Sequence, residues 1–454
     1  MNLPNHFFAD APDAPVTPEL IAESCRHLRR HREKYLAAQP VENLIALLCE
    51  VAADWLAPDN KFRRLALEEG PAATGFSRAT LARGLDGFFR QFTPENFRAL
   101  LAQEFGDARR LDGFVADAGG KSSMVVAPEL LAHVCAGNLP NPALMSITLG
   151  VLLRSAQFVK CASGAALLPR LFAHSICEAD IKLGACIEVA EWHGGEAALE
   201  EVLFAGTDCV TVTGSDEALA AIRARLPVAK RFVGYGHRVS FAFVGAEMLS
   251  GAGVAQTVPR AADDVMAWDQ QGCLSPHVIY VEDKGVVPAE KFAALLAEEL
   301  ERRAAIEPRG GISVEEAAAI AARREIYELR AAHDPEATRL WRSGDSTAWT
   351  VVFEADARFQ MSCLNRFIYV KPVRDLAEAL NQADALQGKV STVGVASSEG
   401  RAPKLAAELA RWGVTRVCPL GQMQNPPLAW RHDGRPALAD LVTWIDHEAS
   451  GAGR

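Results

Sequence analysis

Several common protein signatures are missing from this sequence of 454 residues. Its ten cysteines include no Cys-x-x-Cys pair and most lie in apolar runs, which argues against a zinc cluster and a secreted disulfide framework. The formal net charge of -10 argues against a general nucleic-acid binder. The longest apolar stretch, 124–159, is interrupted by prolines and by Arg154 and cannot span a membrane. The early residues lack the apolar core of a signal peptide, so we expect a cytoplasmic protein. From the preceding observations we also expect no bound metal and no stable membrane insertion.

The pattern of apolar residues changes near residue 120. The preceding stretch is typical of helices, and Thr17-Pro18-Glu19 and Thr93-Pro94-Glu95 read as helix starts. After it, short apolar runs alternate with helical segments, an order typical of parallel sheets covered by helices. The candidate strands of the first sheet are 131–136, 157–161, 186–190, 209–213 and 239–244. The pattern therefore predicts two α/β domains with parallel sheets and an N-terminal helical segment.

The chain is too long for a single core, so we also predict its division into domains. Residues 1–120 are expected to form an N-terminal helical region that packs on a cofactor-binding α/β domain at 121–255. A catalytic α/β domain is expected at 256–425, followed by a C-terminal tail at 426–454. In the tail we expect a turn at His432-Asp433-Gly434 and a last helix to about residue 447.

The glycine-rich fingerprint of ordinary dinucleotide-binding proteins does not follow the first predicted strand. Polar segments stand at strand ends instead. Asn138 can aim its amide N–H at an oxyanion, or it can be an ordinary turn and cap residue. Lys160 can hold ribose or phosphate oxygens, and Ser215 in Thr213-Gly214-Ser215 can cap a helix whose N-terminus is a phosphate site. Each of these signals is weak by itself.

One cysteine is distinguished by its surroundings. Cys273 follows Asp269-Gln270-Gln271-Gly272, and it lies between a predicted helix at 260–271 and a predicted strand that begins near 278. A thiol at such a junction suits a nucleophile, because solvent and backbone donors can reach it; the alternative is a buried packing residue. The reference pKa of a thiol is ~8.5, so a thiolate needs positive neighbours, for which His277 and His237 are the candidates.

These segments, in this order, resemble the aldehyde dehydrogenase superfamily: Asn-x-Pro, then Lys-x-x-Ser, then Thr-Gly-Ser, then a cysteine after Gln-Gly. The acyl-CoA reductases of the LuxC type, from bacterial luminescence, are more similar still. The residues that carry this closer resemblance are Gly137-Asn138-Leu139-Pro140, Gly236-His237-Arg238-Val239-Ser240, Asp269-Gln270-Gln271-Gly272-Cys273-Leu274-Ser275-Pro276 and His432-Asp433-Gly434. The resemblance extends over roughly residues 100 to 450 and implies an aldehyde dehydrogenase-like α/β fold.

The resemblance implies roles for individual residues. Cys273 is similar to the acyl-accepting nucleophile of the family. Asn138 and the backbone N–H of Cys273 are similar to its oxyanion hole. The nicotinamide cofactor site is implied at Lys160, Ser163, Thr213, Gly214 and Ser215.

Two departures from the superfamily pattern bear on the chemistry. The glutamate that activates water in hydrolytic members is missing from the segment 232–237, which suits an enzyme whose acyl group exchanges with a thiol such as CoA. His237 is the candidate acid/base in its place, or else a structural residue. Ser163 stands where many NAD-preferring relatives have an acidic residue, so it does not repel a 2′-phosphate. We therefore expect NADPH as the cofactor, with NADH also permitted.

The function implied is NADPH-dependent reduction of an acyl-CoA, of the fatty acyl class, or of another acyl thioester to the aldehyde through acyl-Cys273. Two alternatives stay open: a CoA-acylating aldehyde dehydrogenase that works in the oxidative direction, and a cysteine-dependent acyltransferase or thioesterase without hydride transfer. A non-catalytic subunit that binds acyl carriers agrees less well with the presence of both Cys273 and Asn138. An acyl-transferring partner enzyme and a homo-oligomer are expected by analogy, and a nucleic-acid partner is not.

Overall fold

The computed structural model describes residues 3–117 and 119–448. Residues 1, 2 and 118 of the predicted helical region and residues 449–454 of the predicted tail lie outside the described residues. The chain divides into two compact units. The first unit comprises the residues up to Thr74, the segment Leu85–Gly236 and the residues from Pro427 onward. The second unit comprises Gly75–Gly84 and His237–Pro426.

Helices precede the first parallel sheet. Their bounds are α1 (Pro18–His31), α2 (Val41–Leu56), α3 (Lys61–Thr74), α4 (Arg78–Phe89) and α5 (Pro94–Phe105). The predicted helix starts at Thr17 and Thr93 are confirmed, because Thr17 Oγ1 accepts the Leu20 N–H at 3.3 Å and Thr93 Oγ1 accepts the Asn96 N–H at 3.2 Å. Among the described helices, none is long and apolar enough by itself to cross a membrane, whereas Pro18–Leu36 and Val41–Leu56 reach that length and composition only as a pair bent by 106°.

The first unit contains a five-stranded parallel sheet. The strands that precede or form it are β1 (Val115–Ala116), β2 (Ser122–Val126), β3 (Leu130–Val134), β4 (Ala156–Cys161), β5 (Ile187–Glu191), β6 (Cys209–Thr213) and β7 (Arg231–Tyr235). The intervening helices are α6 (Asn141–Leu152), α7 (Leu167–Ala179), α8 (Ile181–Gly184), α9 (Ala197–Gly206) and α10 (Asp216–Arg225). The strand order is β5-β4-β3-β6-β7 and every neighbouring pair is parallel.

The second unit contains a seven-stranded sheet. Its strands are β8 (Val239–Val244), β9 (Pro276–Glu282), β10 (Thr338–Arg342), β11 (Thr350–Glu354), β12 (Phe367–Val373), β13 (Val390–Ala396) and β14 (Arg416–Pro419). Its helices are α11 (Gly251–Met266), α12 (Ala289–Ala304), α13 (Val314–His333), α14 (Leu376–Gln382) and α15 (Ala402–Trp412). The order is β10-β11-β12-β9-β8-β13-β14, in which the pairs are parallel apart from the antiparallel β10 and β11.

Successive residues of the central strands enter different apolar cores. On β8, Phe241 and Phe243 belong to one cluster, whereas Ala242 and Val244 belong to the other. Because the side chains of a strand alternate between the two faces, the seven-stranded sheet is covered on both faces. This is why β8 and β9 read as continuous apolar runs rather than as alternating ones.

The end of the described chain returns to the first unit. Strand β15 (Thr443–His447) pairs with β2, which pairs with β1, in an antiparallel three-stranded sheet. The predicted helix at the end of the tail is therefore wrong. The turn predicted at His432-Asp433-Gly434 is confirmed, with a φ of 52° at Asp433 and 76° at Gly434.

The predicted α/β architecture with parallel sheets and an N-terminal helical segment is confirmed, but two further local predictions are wrong. The strand 239–244 lies in the seven-stranded sheet and not in the first sheet, because it pairs with β9 and β13. The predicted helix 260–271 ends at Met266. Helix α11, which spans residue 255, belongs to the second unit, as does the segment 75–84. Strands β7 and β10 and helix α15 were not predicted.

Candidate active site

Three of the predicted polar segments lie at one edge of the five-stranded sheet. Strands β4, β3 and β6 are parallel neighbours, so their carboxyl ends meet at the same edge. Asn138 lies in the loop after β3, Lys160 lies near the end of β4, and Thr213 is the last residue of β6. Ligands of parallel α/β sheets bind at such an edge. The structure thus brings together at one sheet edge the residue assigned to the oxyanion hole, Asn138, and two of the residues assigned to the cofactor, Lys160 and Thr213.

Lys160 is a buried cation at this edge. Its Nζ lies 5.7 Å from the centroid of the Trp192 ring, a distance at which a cation and an indole attract each other. Burial lowers the pKa of Lys160, and the carboxylates of Glu200 and Glu191 oppose that effect. The ammonium group can donate to the ribose or phosphate oxygens of a nucleotide.

The loop that carries Ser163 is held by a carboxylate that the sequence did not point to. Glu191, the last residue of β5, accepts the Gly164 N–H at 2.6 Å and the Ala166 N–H at 3.2 Å. Gly164 has a φ of 78°, a conformation that favours glycine. Ser163 is exposed beside these contacts. A negative charge therefore lies next to the residue that was expected to tolerate a 2′-phosphate.

Ser215 caps helix α10, as the sequence predicted. Its Oγ accepts the Ala218 N–H at 3.2 Å. Asp216 and Glu217 occupy the first turn of the same helix, and their charges lower its attraction for a phosphate. The N-terminus of α10 is consequently a weaker phosphate site than Thr213-Gly214-Ser215 indicates by itself.

Two buried polar atoms at this edge have no hydrogen-bond partner within residues 3–117 and 119–448. They are Oδ1 of Asn141, at the start of α6, and Nε1 of Trp192, directly after β5. A buried acceptor and a buried donor without partners are costly unless a ligand satisfies them. The edge fits a ligand that offers both donors and acceptors, as the ribose and amide groups of a nicotinamide dinucleotide do.

Tyr235 and His432 add an aromatic stack to the first unit. Tyr235 is the last residue of β7, and its ring lies 4.4 Å from the His432 ring at an interplanar angle of 8°. The Trp430 ring is a second neighbour of the His432 ring, and the centroids of these two rings are 4.6 Å apart. Of the motif His432-Asp433-Gly434, the sequence predicted the turn but not this stacking.

Cys273 lies in the turn that leads into β9, in the second unit. Its side chain is half-buried, and its carbonyl oxygen accepts a hydrogen bond from Ser240 Oγ at 2.7 Å. Ser240 is fully buried on β8, and its Oγ also accepts the Thr392 N–H from β13 at 3.2 Å. Two neighbouring strands thereby fix the backbone at the candidate nucleophile. This contact gives a structural role to Ser240, one of the residues that carry the family resemblance.

The backbone before Cys273 is left-handed. Trp268, Asp269 and Gln270 have φ values of 51°, 49° and 65°. Each such residue with a side chain costs roughly 1–2 kcal/mol, so surrounding contacts must hold the segment. Asp269 is buried and paired with Arg366, with Nε at 2.8 Å from Oδ1.

Arg366 therefore does not have the use that its sequence position indicated. Near a predicted strand end it reads as a surface cation, or as one that contacts CoA phosphates. In the structure its side chain is 1% exposed and is engaged with Asp269 and with the carbonyl oxygen of Glu307 at 2.8 Å. A guanidinium buried in this way is not available to a CoA phosphate.

His277 does not supply the positive charge that was considered for the Cys273 thiolate. Burial lowers the pKa of His277 to about 4, and the nearby charge of His237 adds to this effect. The Ser362 backbone N–H donates to His277 Nδ1 at 3.1 Å, so neutral His277 carries its proton on Nε2. His237 itself is exposed directly before β8. It is the candidate proton donor that remains.

The other nine cysteines are less suited to nucleophilic work. Burial raises the pKa of every one of these thiols, which disfavours the reactive thiolate. Among the described residues there is no group of three or more His, Cys, Asp or Glu side chains arranged to hold a metal ion.

Comparisons with known proteins give a match to one protein family and to individual relatives. A model of the acyl-CoA reductase (LuxC) family matches residues 36–444. Long-chain acyl-protein thioester reductase 2 of Photobacterium leiognathi is 24% identical over 319 residues, which cover 70% of this chain and 63% of that protein. The matched region thus spans less than two thirds of that relative.

Solved structures show the same fold. The putative aldehyde dehydrogenase PutA from Anabaena variabilis has a TM-score of 0.70 at 16% identity, and the superposition covers 97% of this chain and 95% of that protein's chain. The NADP-dependent glyceraldehyde-3-phosphate dehydrogenase from Bacillus halodurans C-125, complexed with NADP, has a TM-score of 0.68 at 13% identity, covering 95% and 91%. The predicted aldehyde dehydrogenase-like fold is confirmed. Because the family model matches most of the length of this chain, the chain belongs to the acyl-CoA reductase (LuxC) family.

Proposed function

We propose that this protein reduces an acyl thioester to the aldehyde through an acyl-Cys273 intermediate, with NADPH as the hydride donor. The observation that carries the proposal is the setting of Cys273. Its thiol is half-buried in a turn that two neighbouring strands fix through Ser240. The name of the relative from Photobacterium leiognathi, a long-chain acyl-protein thioester reductase, supports the same reaction and a fatty acyl group.

The chemistry begins at Cys273. Its thiolate attacks the carbonyl carbon of the thioester, the bond from that carbon to the sulfur of CoA breaks, and the acyl group is left on Cys273 Sγ. His237 is the proposed donor of the proton that the departing sulfur takes up. Asn138 is the proposed donor to the oxyanion, a contribution that is typically worth ~3–4 kcal/mol of transition-state stabilisation.

The second half of the reaction releases the aldehyde. When bound, the nicotinamide cofactor supplies a hydride to the acyl carbon. Collapse of the reduced adduct breaks the bond from that carbon to Cys273 Sγ, releases the aldehyde and regenerates the thiolate. Lys160 and the backbone after β6 are the proposed contacts of the cofactor, and Ser163 is the proposed neighbour of a 2′-phosphate.

The acyl donor is proposed to be acyl-CoA. The segment 232–237 holds no glutamate to activate water, which favours exchange of the acyl group with a thiol. An acyl-protein donor, as in the name of the relative, is the alternative, and an acyl-transferring partner enzyme would then deliver it. The reverse direction, from aldehyde and CoA to acyl-CoA, uses the same groups.

A homo-oligomer is part of the proposal because of strand β15. It lies at the edge of the three-stranded sheet, and its side chains are exposed, including Trp444 and Ile445. An exposed strand edge with apolar side chains is suited to pairing with another chain. Light scattering coupled to size exclusion measures the mass directly.

The decisive experiment labels the enzyme with acyl-CoA that is radioactive in the acyl group. The full chain, denatured after mixing without NADPH, should retain label that hydroxylamine removes. Cys273→Ala should retain none. Cys363→Ala is the matched control, because Cys363 is a second half-buried cysteine of the same compact unit, and it should label normally.

Addition of NADPH to the labelled wild type should release radioactive aldehyde. Release of free acid instead would support a thioesterase and end the proposal of hydride transfer. Labelling that persists in Cys273→Ala would remove Cys273 as the acyl acceptor.

A further inference from the structure

Two segments of the second unit have a left-handed backbone conformation and contact each other. The first is Trp268–Gln270, directly before the Cys273 turn. The second consists of Leu364, Asn365 and Arg366, whose φ values are 56°, 56° and 65°. Residues other than glycine rarely adopt this conformation, and three consecutive residues do so more rarely still. Contacts of the folded protein must therefore impose it on both segments.

Side chains join the two segments directly. Asp269 and Arg366 form an ion pair in which Asp269 is 3% and Arg366 is 1% exposed, and Arg366 Nε and a terminal guanidinium nitrogen lie 2.8 and 2.7 Å from Oδ1. The second oxygen of Asp269 accepts the Gly310 N–H at 3.0 Å. Gln271 Nε2 donates to Asn365 Oδ1 at 2.7 Å. The donors around Asp269 suit an ionised carboxylate and would not suit a neutral amide of the same shape.

Both segments are also tied to the strands that follow them. The amide nitrogen of Gln270 donates to the carbonyl oxygens of Pro276, at 2.7 Å, and Phe367, at 2.9 Å. Pro276 begins β9 and Phe367 begins β12, and these strands are paired in parallel. The carbonyl oxygen of Arg366 accepts the Thr350 N–H of β11 at 2.9 Å.

These contacts surround the turn 271–275 on the side of its entry and on the side of its exit. At the entry stand Asp269 and Gln270, and at the exit stands the first residue of β9. The carbonyl oxygen of Cys273 is held from β8 by Ser240. Together these contacts form a frame around the turn 271–275 that fixes the backbone conformation of Cys273. The Asp269–Arg366 ion pair is the buried charged part of this frame.

We infer that Asp269 is a positioning residue for Cys273, acting through its buried ion pair with Arg366. This inference rests on the proposed function, in which Cys273 is the acyl acceptor. Asp269 is buried and is engaged by Arg366 and by the Gly310 N–H, so it acts through the backbone that it holds. It holds Trp268–Gln270 in the left-handed conformation that aims the thiol and the Cys273 N–H.

The test compares Asp269→Asn with wild type in the full chain. The first readout is the rate of Cys273 alkylation by iodoacetamide between pH 6 and 10, measured by mass spectrometry of the Cys273 peptide. The second is steady-state reduction of acyl-CoA. Misplacement by about 1 Å can cost on the order of 100-fold in rate, so we expect kcat to fall by about that factor with an unchanged KM for NADPH. The alkylation profile should shift, because the thiol loses its fixed surroundings.

Glu354→Gln is the matched control. It breaks a pair of similar burial, in which Lys371 Nζ lies 2.9 Å from Glu354 Oε2 and the two side chains are 0% and 2% exposed. It should lower the stability of the second unit and leave the alkylation profile of Cys273 unchanged. If Glu354→Gln shifted that profile as far as Asp269→Asn does, the effect would be general destabilisation and the inference would be wrong.

Gln271→Ala keeps the inference testable if Asp269→Asn does not fold. It removes the hydrogen bond from Gln271 to Asn365 at the edge of the frame, and an approximately tenfold loss of kcat is expected. Wild-type kcat and a wild-type alkylation profile in either folded variant would overturn the inference. Failure of the wild type itself to accept an acyl group would instead refute the proposed function, so the two failures are distinguishable.

Discussion

At the scale of single residues, the neighbours of each predicted site residue modify its role. Ser163 by itself indicates tolerance of a 2′-phosphate, but the carboxylate of Glu191 lies on the N–H groups of Gly164 and Ala166 in the same loop. His277 by itself indicates a positive neighbour for Cys273, but burial lowers the pKa of His277 to about 4. The contacts of a residue, and not its type, decide its charge at neutral pH.

Glu191→Gln should improve the use of NADPH. The variant removes one negative charge beside the proposed position of the 2′-phosphate and can keep one hydrogen bond to the loop. At the surface such a repulsion is worth about 1 kcal/mol, so the KM for NADPH should fall about fivefold while that for NADH does not fall. Both constants are measured by the absorbance of the reduced cofactor. Glu201→Gln, an exposed change on α9, is the control; an equal fall there would point to net charge alone.

At the scale of elements, the Cys273 turn depends on a helix that is distant in the sequence. The Trp268 ring is buried, lies 5.2 Å from the Phe76 ring, and packs on α4 at Gly84. A Cβ atom at Gly84 would lie 2.0 Å from Trp268 Cζ2, well inside any tolerated contact. The absence of a side chain at Gly84 is therefore a requirement of the left-handed segment that follows α11.

Gly84→Ala should impair catalysis as well as stability. The indole must move, and its backbone belongs to the segment that positions Cys273. Overpacking of this kind costs about 1–3 kcal/mol of unfolding free energy, and we expect kcat to fall by about tenfold or more. Thermal unfolding and steady-state kinetics provide the two measurements. Gly251→Ala at the start of α11 is the control, since a Cβ there meets nothing within 4 Å; loss of activity in both variants would contradict the argument.

At the scale of the whole molecule, each compact unit contains a buried histidine and a buried carboxyl group whose shifted pKa values have opposite effects on acid stability. In the first unit, burial lowers the pKa of His133 to about 4 and raises that of Glu188 to about 7. In the second unit, burial lowers the pKa of His277 to about 4 and raises that of Asp264 to about 7. As the pH falls from 7 to 5, the unfolded histidines take up protons that the folded ones refuse, which destabilises the fold. The folded carboxyl groups take up protons more readily than the unfolded ones, which stabilises it.

Removal of either group in the second unit should expose the effect of the other. In His277→Gln, the unfolding free energy at pH 5 relative to pH 7 should rise by about 2 kcal/mol compared with wild type, because the acid-sensitive group is gone. In Asp264→Asn the same difference should fall by about 2 kcal/mol, because the group that gains stability on acidification is gone. Urea titrations at the two pH values measure both. Equal changes of one sign in the two variants would contradict the assignment.

Much of the fold was accessible from the sequence because its determinants are local. The caps at Thr17 and Thr93, the turn at Asp433-Gly434 and the alternation of strands with helices each depend on a few consecutive residues, and all are present in the structure. The same holds for the order of Asn138, Lys160 and Thr213 after successive strands, from which a common sheet edge follows. The resemblance to the family added the role of Cys273, which no local pattern provides.

The remainder required the tertiary structure, because it depends on residues that are far apart in the chain. Strand β8 follows the first sheet directly but pairs with β9 and β13, and no local feature of Val239–Val244 distinguishes one sheet from the other. Asp269 and Arg366 are separated by 97 residues, and each reads as an ordinary surface charge until the fold buries both. Burial removes water from a charge and makes its one partner decisive, so the surroundings of Cys273 were determined by packing and not by the residues next to it.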